Sequence, residues 1–279
     1  MRIPGCSAIA GLAAIAAAAA GSPAHGAELY LSGDLGISWV DGDGVGVNDI
    51  VGIANSGMSD DATPVYGGAL GLQFPLNAAL PWRMRVPGFG VPYWPGHEWR
   101  FDGRDDVRLP DWTVRTEVEH LRGRDAQLTT ASFTPLDAYR SDAESWTLMG
   151  KLRLDIPVRS PVHALLGRRA PFLEPVTIYG GAGAGIAETD LKVSTGLLVG
   201  SSDRQRFSWQ ALAGIGYQLN DRVQLSVGWR YLDFGEAKTQ LYDSAFVNRG
   251  RYSIDLDANE FTASLSVWFY RLPPLLGDE

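Results

Sequence analysis

From residue 28 onward, polar and apolar positions alternate with a period of two in short runs, and a helical period of 3.6 is scarce. The stretch GIGYQLNDRVQLSVGWRYLDFG, residues 214–235, shows the pattern at its clearest: two alternating runs joined by Leu-Asn-Asp-Arg. Such runs of about ten residues, bounded by Gly, Asn, Asp or Pro, are the signature expected of membrane barrel strands. They recur at 29–40, 65–74, 112–122, 146–158, 176–187, 207–219, 223–234 and 260–271.

In the first run Leu29, Leu31, Leu35, Ile37 and Trp39 share one face, with Ser32, Asp34 and Ser38 on the other. In the third, Val114, Thr116 and Val118 oppose Arg115, Glu117 and Glu119. In the fourth, Leu148, Leu152, Leu154 and Ile156 oppose Thr147, Lys151, Arg153 and Asp155. Arg230 adds a charge to the seventh run. A soluble sandwich would turn these charges to water and the apolar face to a core. Two features favour the opposite assignment, with lipid on the apolar side. Aromatics cluster near the run ends (Trp39, Phe74, Trp146, Trp209, Tyr217, Trp229, Tyr231, Phe269), as interfacial girdles do. The polar faces of the second, fifth and sixth runs are also glycine-rich, which suits a narrow interior.

A bilayer admits only helices or closed barrels, because an open sheet edge leaves backbone groups unsatisfied in hydrocarbon. The expected fold is therefore all-β: a closed antiparallel eight-stranded transmembrane β-barrel. Its connections alternate in length. Long outer loops are expected at 41–64, 123–145, 188–206 and 235–259, which puts both chain ends on the periplasmic side. Two periplasmic connections are longer than a tight turn: a Pro- and aromatic-rich insertion at 75–111 and a shorter one at 159–175. The lumenal charges Asp34, Arg115, Glu117, Glu119, Lys151, Arg153, Asp155 and Arg230 are expected to form a structural ion-pair network, since eight strands enclose just enough room for side chains.

The N-terminus reads as an export signal: Met1-Arg2, an uncharged apolar run from Ala8 to Ala20, then GSPAHGAE with small residues for cleavage after Gly26 or Ala27. The expected organisation is a signal peptide at 1–27 and a single barrel domain at 28–279, placed in the bacterial outer membrane. Cys6, the one cysteine, lies within that signal, so no disulfide framework holds the exported chain. Of the 24 Lys and Arg, Arg2 leaves with the signal, against 32 Asp and Glu. That acidic balance argues against nucleic acid as a partner.

Catalytic and metal motifs do not emerge. GGAGAGIAE at 180–188 lacks GxGxxG, HEWRF at 97–101 ends in Phe101 where HExxH needs histidine, and no GxSxG occurs. DGDG at 41–44 lacks the remaining ligands of a calcium loop. His120 has no nucleophile partner in its run and reads as an interfacial side chain. No catalytic, cofactor or metal site is expected.

YLSGDLGISW, GGALGLQF, IYGGAGAGIA and GIGYQLNDRVQLSVGWRYLDFG resemble the opacity-type surface antigens, eight-stranded outer-membrane barrels. They are more distantly similar to the transmembrane domain of outer membrane protein A. The resemblance covers the strands and not the Pro-rich insertion. It implies outer-membrane lipid and lipopolysaccharide as surroundings and the barrel-assembly machinery as a partner that reads a terminal aromatic. Phe269 stands in that place here, though YRLPPLLGDE follows it.

Function is then expected to be structural or surface-interacting, in the manner of an adhesin or antigen, with no catalytic role. The alternatives are a narrow porin-like channel and, from another class, a lipid- or lipopolysaccharide-modifying barrel enzyme. The last outer connection mixes Arg249 and Arg251 with Tyr242, Phe246 and Tyr252, the residue types that dominate contact energy, and these are the expected surface for an extracellular ligand.

Overall fold

Alternation with a period of two forces the backbone to be extended, and each run pairs antiparallel with the next in sequence. The computed structural model describes residues 27–48, 52–57, 62–75, 112–129, 140–158, 173–195 and 197–271. The strands are β1 (Glu28–Asn48), β2 (Gly52–Gly57), β3 (Ala62–Pro75), β4 (Thr113–Thr129), β5 (Arg140–Pro157), β6 (Val176–Ser194), β7 (Val199–Asn220), β8 (Val223–Tyr242) and β9 (Asn248–Arg271). β1 pairs with β3 on one side and β9 on the other, so eight strands close a ring and β2 folds back along the outer end of β1. At the closing seam, Arg271 Nη2 lies 2.5 Å from Glu28 Oε1. Residues 1–26 of the expected signal at 1–27, residues 76–111 of the expected insertion at 75–111, residues 159–172 and residues 272–279 lie outside the described residues.

The strands run farther outward than the sequence indicated. β8 and β9 stay paired up to Tyr242↔Asn248, and β6 and β7 up to Ser194↔Val199, through stretches read as outer loops. The reason is a change of solvent along each strand. On β9, the outward-facing Phe261, Ala263, Leu265, Val267 and Phe269 are exposed and apolar, while Ser264 and Ser266 point inward. Farther out the chemistry inverts. Tyr252, Ile254, Leu256 and Ala258 are buried inside, and Arg251, Ser253, Asp255 and Asp257 face outward. On β8 the inward set is Leu232, Phe234, Ala237 and Leu241, and on β6 it is Ala187, Leu191 and Val193. The inner half of the barrel is thus built for lipid outside and polar groups inside; the outer half is a water-soluble barrel with an apolar core.

The switch lies at one level. Trp39, Trp146, Phe207, Tyr231 and Phe261 end the apolar band, with Trp39 edge-on to Phe261 (5.8 Å) and Trp209, one outward position below Phe207, against Tyr231 (5.5 Å). Of the expected girdle residues, Phe74 is buried instead. At and just beyond the girdle, outward positions carry Asp41, Glu144, Glu188, Asp233 and Asp257, an acidic collar.

Candidate functional site

Within the membrane-level half, inward positions bring Arg115, Glu117 and Glu119 of β4 beside Lys151, Arg153 and Asp155 of β5, in register Glu117↔Lys151 and Arg115↔Arg153. All are nearly sealed from solvent. Nearest the periplasm, Asp155 is shared by two guanidinium groups: Arg115 Nε at 2.7 Å and Arg153 Nε at 2.8 Å. Aromatic faces support both cations. Arg115 lies 4.7 Å from the Trp268 ring and 5.3 Å from Tyr30, and Arg153 lies 3.5 Å from Tyr179. Arg115 also donates to Gln224 Oε1 at 2.7 Å. At the next level, Lys151 Nζ bridges Glu117 Oε2 (2.5 Å) and Glu119 Oε1 (2.7 Å), and the Tyr30 hydroxyl donates to Glu117. Glu119 in turn accepts from Arg230 Nη1 at 2.9 Å and Gln210 Nε2 at 3.3 Å.

Two residues complete the ladder at its outer end. Glu260 of β9 receives Arg230 Nε at 2.7 Å and also pairs with Arg124 of β4, whose Nη1 donates to Thr147 Oγ1 at 3.3 Å. Arg124 sits 5.4 Å from the Phe234 ring, where the ionic layer meets the apolar core. Neither residue was singled out from sequence. Glu260 could have been, since it is one position from lipid-facing Phe261 and so must point inward. Arg124 could not by counting: Gly123, at φ +100°, sits in a β-bulge that reverses the parity of β4.

Asp34 stands apart from the ion pairs. It is buried, hydrogen-bonded to Ser264, and its Oδ2 has no partner among the described residues. It borders a cavity of about 30 Å³ lined also by Glu119, Lys151, Tyr179 and Arg230. That is room for a water or two. Arg115, Arg124, Lys151, Arg153 and Arg230 face Asp34, Glu117, Glu119, Asp155 and Glu260, so cations and carboxylates balance one for one. Chemically the arrangement is a plug. Four of its five carboxylates, Glu117, Glu119, Asp155 and Glu260, are held by cations in a sealed interior.

The other expected site is the outer tip. Phe246 projects into solvent at 87 % exposure, in a turn where it adopts φ +59°. Asp243 holds that turn: its Oδ1 accepts from Ala245 N at 2.8 Å and Val247 N at 3.0 Å, and its Oδ2 from Arg249 Nε at 2.9 Å. The bond from the Val247 amide, then that from Arg249, holds the Asp243 carboxyl below its usual range. Tyr242 is half-buried and Arg251 exposed. Tyr252 departs from the expectation. It is 0 % exposed, because its parity on β9 turns it into the apolar core, and it offers no contact surface. His120 faces outward at the girdle, 5.5 Å from the Trp146 ring, and accepts from Arg122 Nε at 3.0 Å.

Among solved structures, the chain is similar to Neisserial surface protein A (15 % identity over 88 % of this chain and 100 % of that one, TM-score 0.35). It is also similar to Ail, the attachment invasion locus protein of Yersinia pestis (12 % identity, 87 % and 99 % covered, TM-score 0.33). A third is outer membrane protein AlkL in lipid bilayers (14 % identity, 90 % and 93 % covered, TM-score 0.42). Comparison with curated proteins finds no match. The family model of the outer membrane protein beta-barrel domain matches residues 6–269, nearly the whole chain. An eight-stranded ring with apolar residues turned to lipid and charges turned inward is the architecture such a family requires, and the chain belongs to the outer membrane protein beta-barrel family, a barrel of the bacterial outer membrane.

Proposed function

We propose that this protein is a closed barrel with a structural or surface-interaction role, exercised through the outer tip and without catalysis. The observation that carries the reading is the pair of stacked fillings: a charge-balanced ionic layer at membrane level and an apolar core above it. A barrel filled twice over is a rigid support rather than a conduit. What it holds out is a tip carrying Phe246 and Val247, with Leu197 and Val199 exposed on the adjoining hairpin and Arg249 and Arg251 beside them. Loops and turns on a rigid scaffold are where recognition usually resides. Lipopolysaccharide surrounds the barrel, and the assembly machinery inserts it.

The test replaces 246–251 with Gly-Ser. The circular dichroism spectrum of the barrel should be unchanged, and cells carrying the variant should lose retention of whatever surface the parent binds. Undiminished binding by a folded variant overturns the tip as the contact. Steady conductance of the parent in planar bilayers overturns the closed-barrel reading.

A further inference from the structure

The collar beyond the girdle is acidic on five strands, β4 carries the exposed Arg122 there, and β7 adds two further cations. Its ladder to β8 stops at Trp209↔Asp233 and resumes at Val199↔Tyr242, while its pairing to β6 continues without a gap. Arg204 and Arg206 fall in this interval. Their parity matches the inward-facing Ser208 and Gln210, yet Arg204 is exposed and Arg206 half-exposed, in the interval where the ladder to β8 is interrupted by a register shift. Neither forms an ion pair or hydrogen bond among the described residues. The opposite charge that reaches Arg206 is that of Glu236, already held by Lys238 at 2.5 Å. Burial, then the charge of Arg204, lowers the Arg206 pKa, the two together outweighing the pull of Glu236. Two residues apart on one face, they are spaced about 7 Å along the strand.

Their height is fixed by their neighbours. Phe207, 69 % exposed, and Trp209 are the last outward apolar residues of β7; Gln205 and Asp203 follow. Arg206 is therefore about 3 Å beyond the apolar band, at the level of lipid headgroups. Guanidinium forks match phosphate oxygens bidentately, and long Arg stems reach to the interface.

We propose that Arg204 and Arg206 form a binding site for the phosphate of an anionic lipid of the outer leaflet, with Phe207 and Trp209 against its acyl chains. Glu188 and Asp233 on the adjoining strands flank this gap. The site is independent of any role of the tip.

The test uses the full chain in phosphatidylcholine nanodiscs containing a bis-phosphorylated lipid A or its dephosphorylated form, with EDTA present throughout. Apparent lipid affinity is read from the rise in unfolding midpoint with lipid mole fraction. Arg204→Gln and Arg206→Gln should each weaken binding roughly fivefold, from about 1 kcal/mol per surface cation. Arg204→Lys with Arg206→Lys should fall between parent and double Gln variant, and Arg222→Gln, in the turn between β7 and β8 at the opposite end of the barrel, should match the parent. Dephosphorylated lipid should give no shift. Parent-like affinity in the folded double Gln variant overturns the site. A parent that shows no preference for the phosphorylated lipid in EDTA overturns it too, and a preference that returns with added magnesium assigns lipid contact to cations bridged by the collar. An equal shift from millimolar inorganic phosphate without phosphorylated lipid overturns the lipid as ligand.

Discussion

Glu260→Gln is the sharpest test of the plug. The substitution keeps size and shape, so it opens no cavity and changes charge alone. Glu260 is fully buried and is the ion-pair partner of Arg124, whose side chain is equally sealed; Arg230 retains Glu119 at 2.9 Å. Breaking a buried pair from one side costs about 3–5 kcal/mol. The lower end applies, because Arg230 keeps a partner and the new amide oxygen still accepts one bond. With a urea slope of about 2 kcal/mol/M, a loss of about 3 kcal/mol lowers the unfolding midpoint by about 1.5 M in lipid vesicles. Removing both partners as Arg124→Met with Glu260→Met should recover most of that loss, since apolar replacement of a whole buried pair is near neutral. A midpoint equal to the parent's for Glu260→Gln, or a double variant no better than the single, refutes the reasoning.

Leu152→Arg, at a lipid-facing position 58 % exposed to the bilayer side, should cost about 2–4 kcal/mol in the same assay, and an undiminished midpoint would invert the face assignment. Gly228→Ala should cost about 1–3 kcal/mol, because a Cβ there meets the Tyr179 hydroxyl that packs between Gly214 and Gly228, whereas Gly33→Ala meets nothing within 4 Å and should be neutral. Burial, then Asp41, Asp233 and Asp43, hold the Asp257 carboxyl above its usual 3.8. A raised acid penalises folding where it is ionised: the penalty is absent below pH 3.8, grows as pH rises from there to the folded value, and is complete above it. Asp257→Asn should therefore slow amide exchange around 255–259 at pH 7 and leave it unchanged at pH 3; faster exchange at pH 7 would contradict this.

The membrane-level half of the fold was legible because lipid outside and charge inside give every strand the same phase, as Leu148, Leu152 and Leu154 against Lys151 and Arg153 show. The outer half was not, for a physical reason. There the apolar side chains turn inward, so YSIDLDA at 252–258 alternates as regularly as any strand but in the sense of a soluble barrel. A template tuned to lipid reads it as loop. Bulges compound the difficulty: Gly123 and Gly235, both at positive φ, shift parity on β4 and β8, which hid Arg124 and the inward run Ala237, Thr239, Leu241. Tyr252 failed for the same cause, its composition pointing to contact and its phase to the core.

β9 runs unbroken from Arg271 to Asn248. Beyond Phe261, at about 3.3 Å per residue and a tilt near 40°, it lifts the tip roughly 30 Å above the apolar band. The Debye length at physiological salt is about 8 Å, so the tip stands several screening lengths from the headgroup charges. An approaching molecule at that height feels Asp243, Arg249 and Arg251 and little of the membrane's own potential. The outer half of the barrel acts as an electrostatic standoff, and its length decides which charges a visitor meets first.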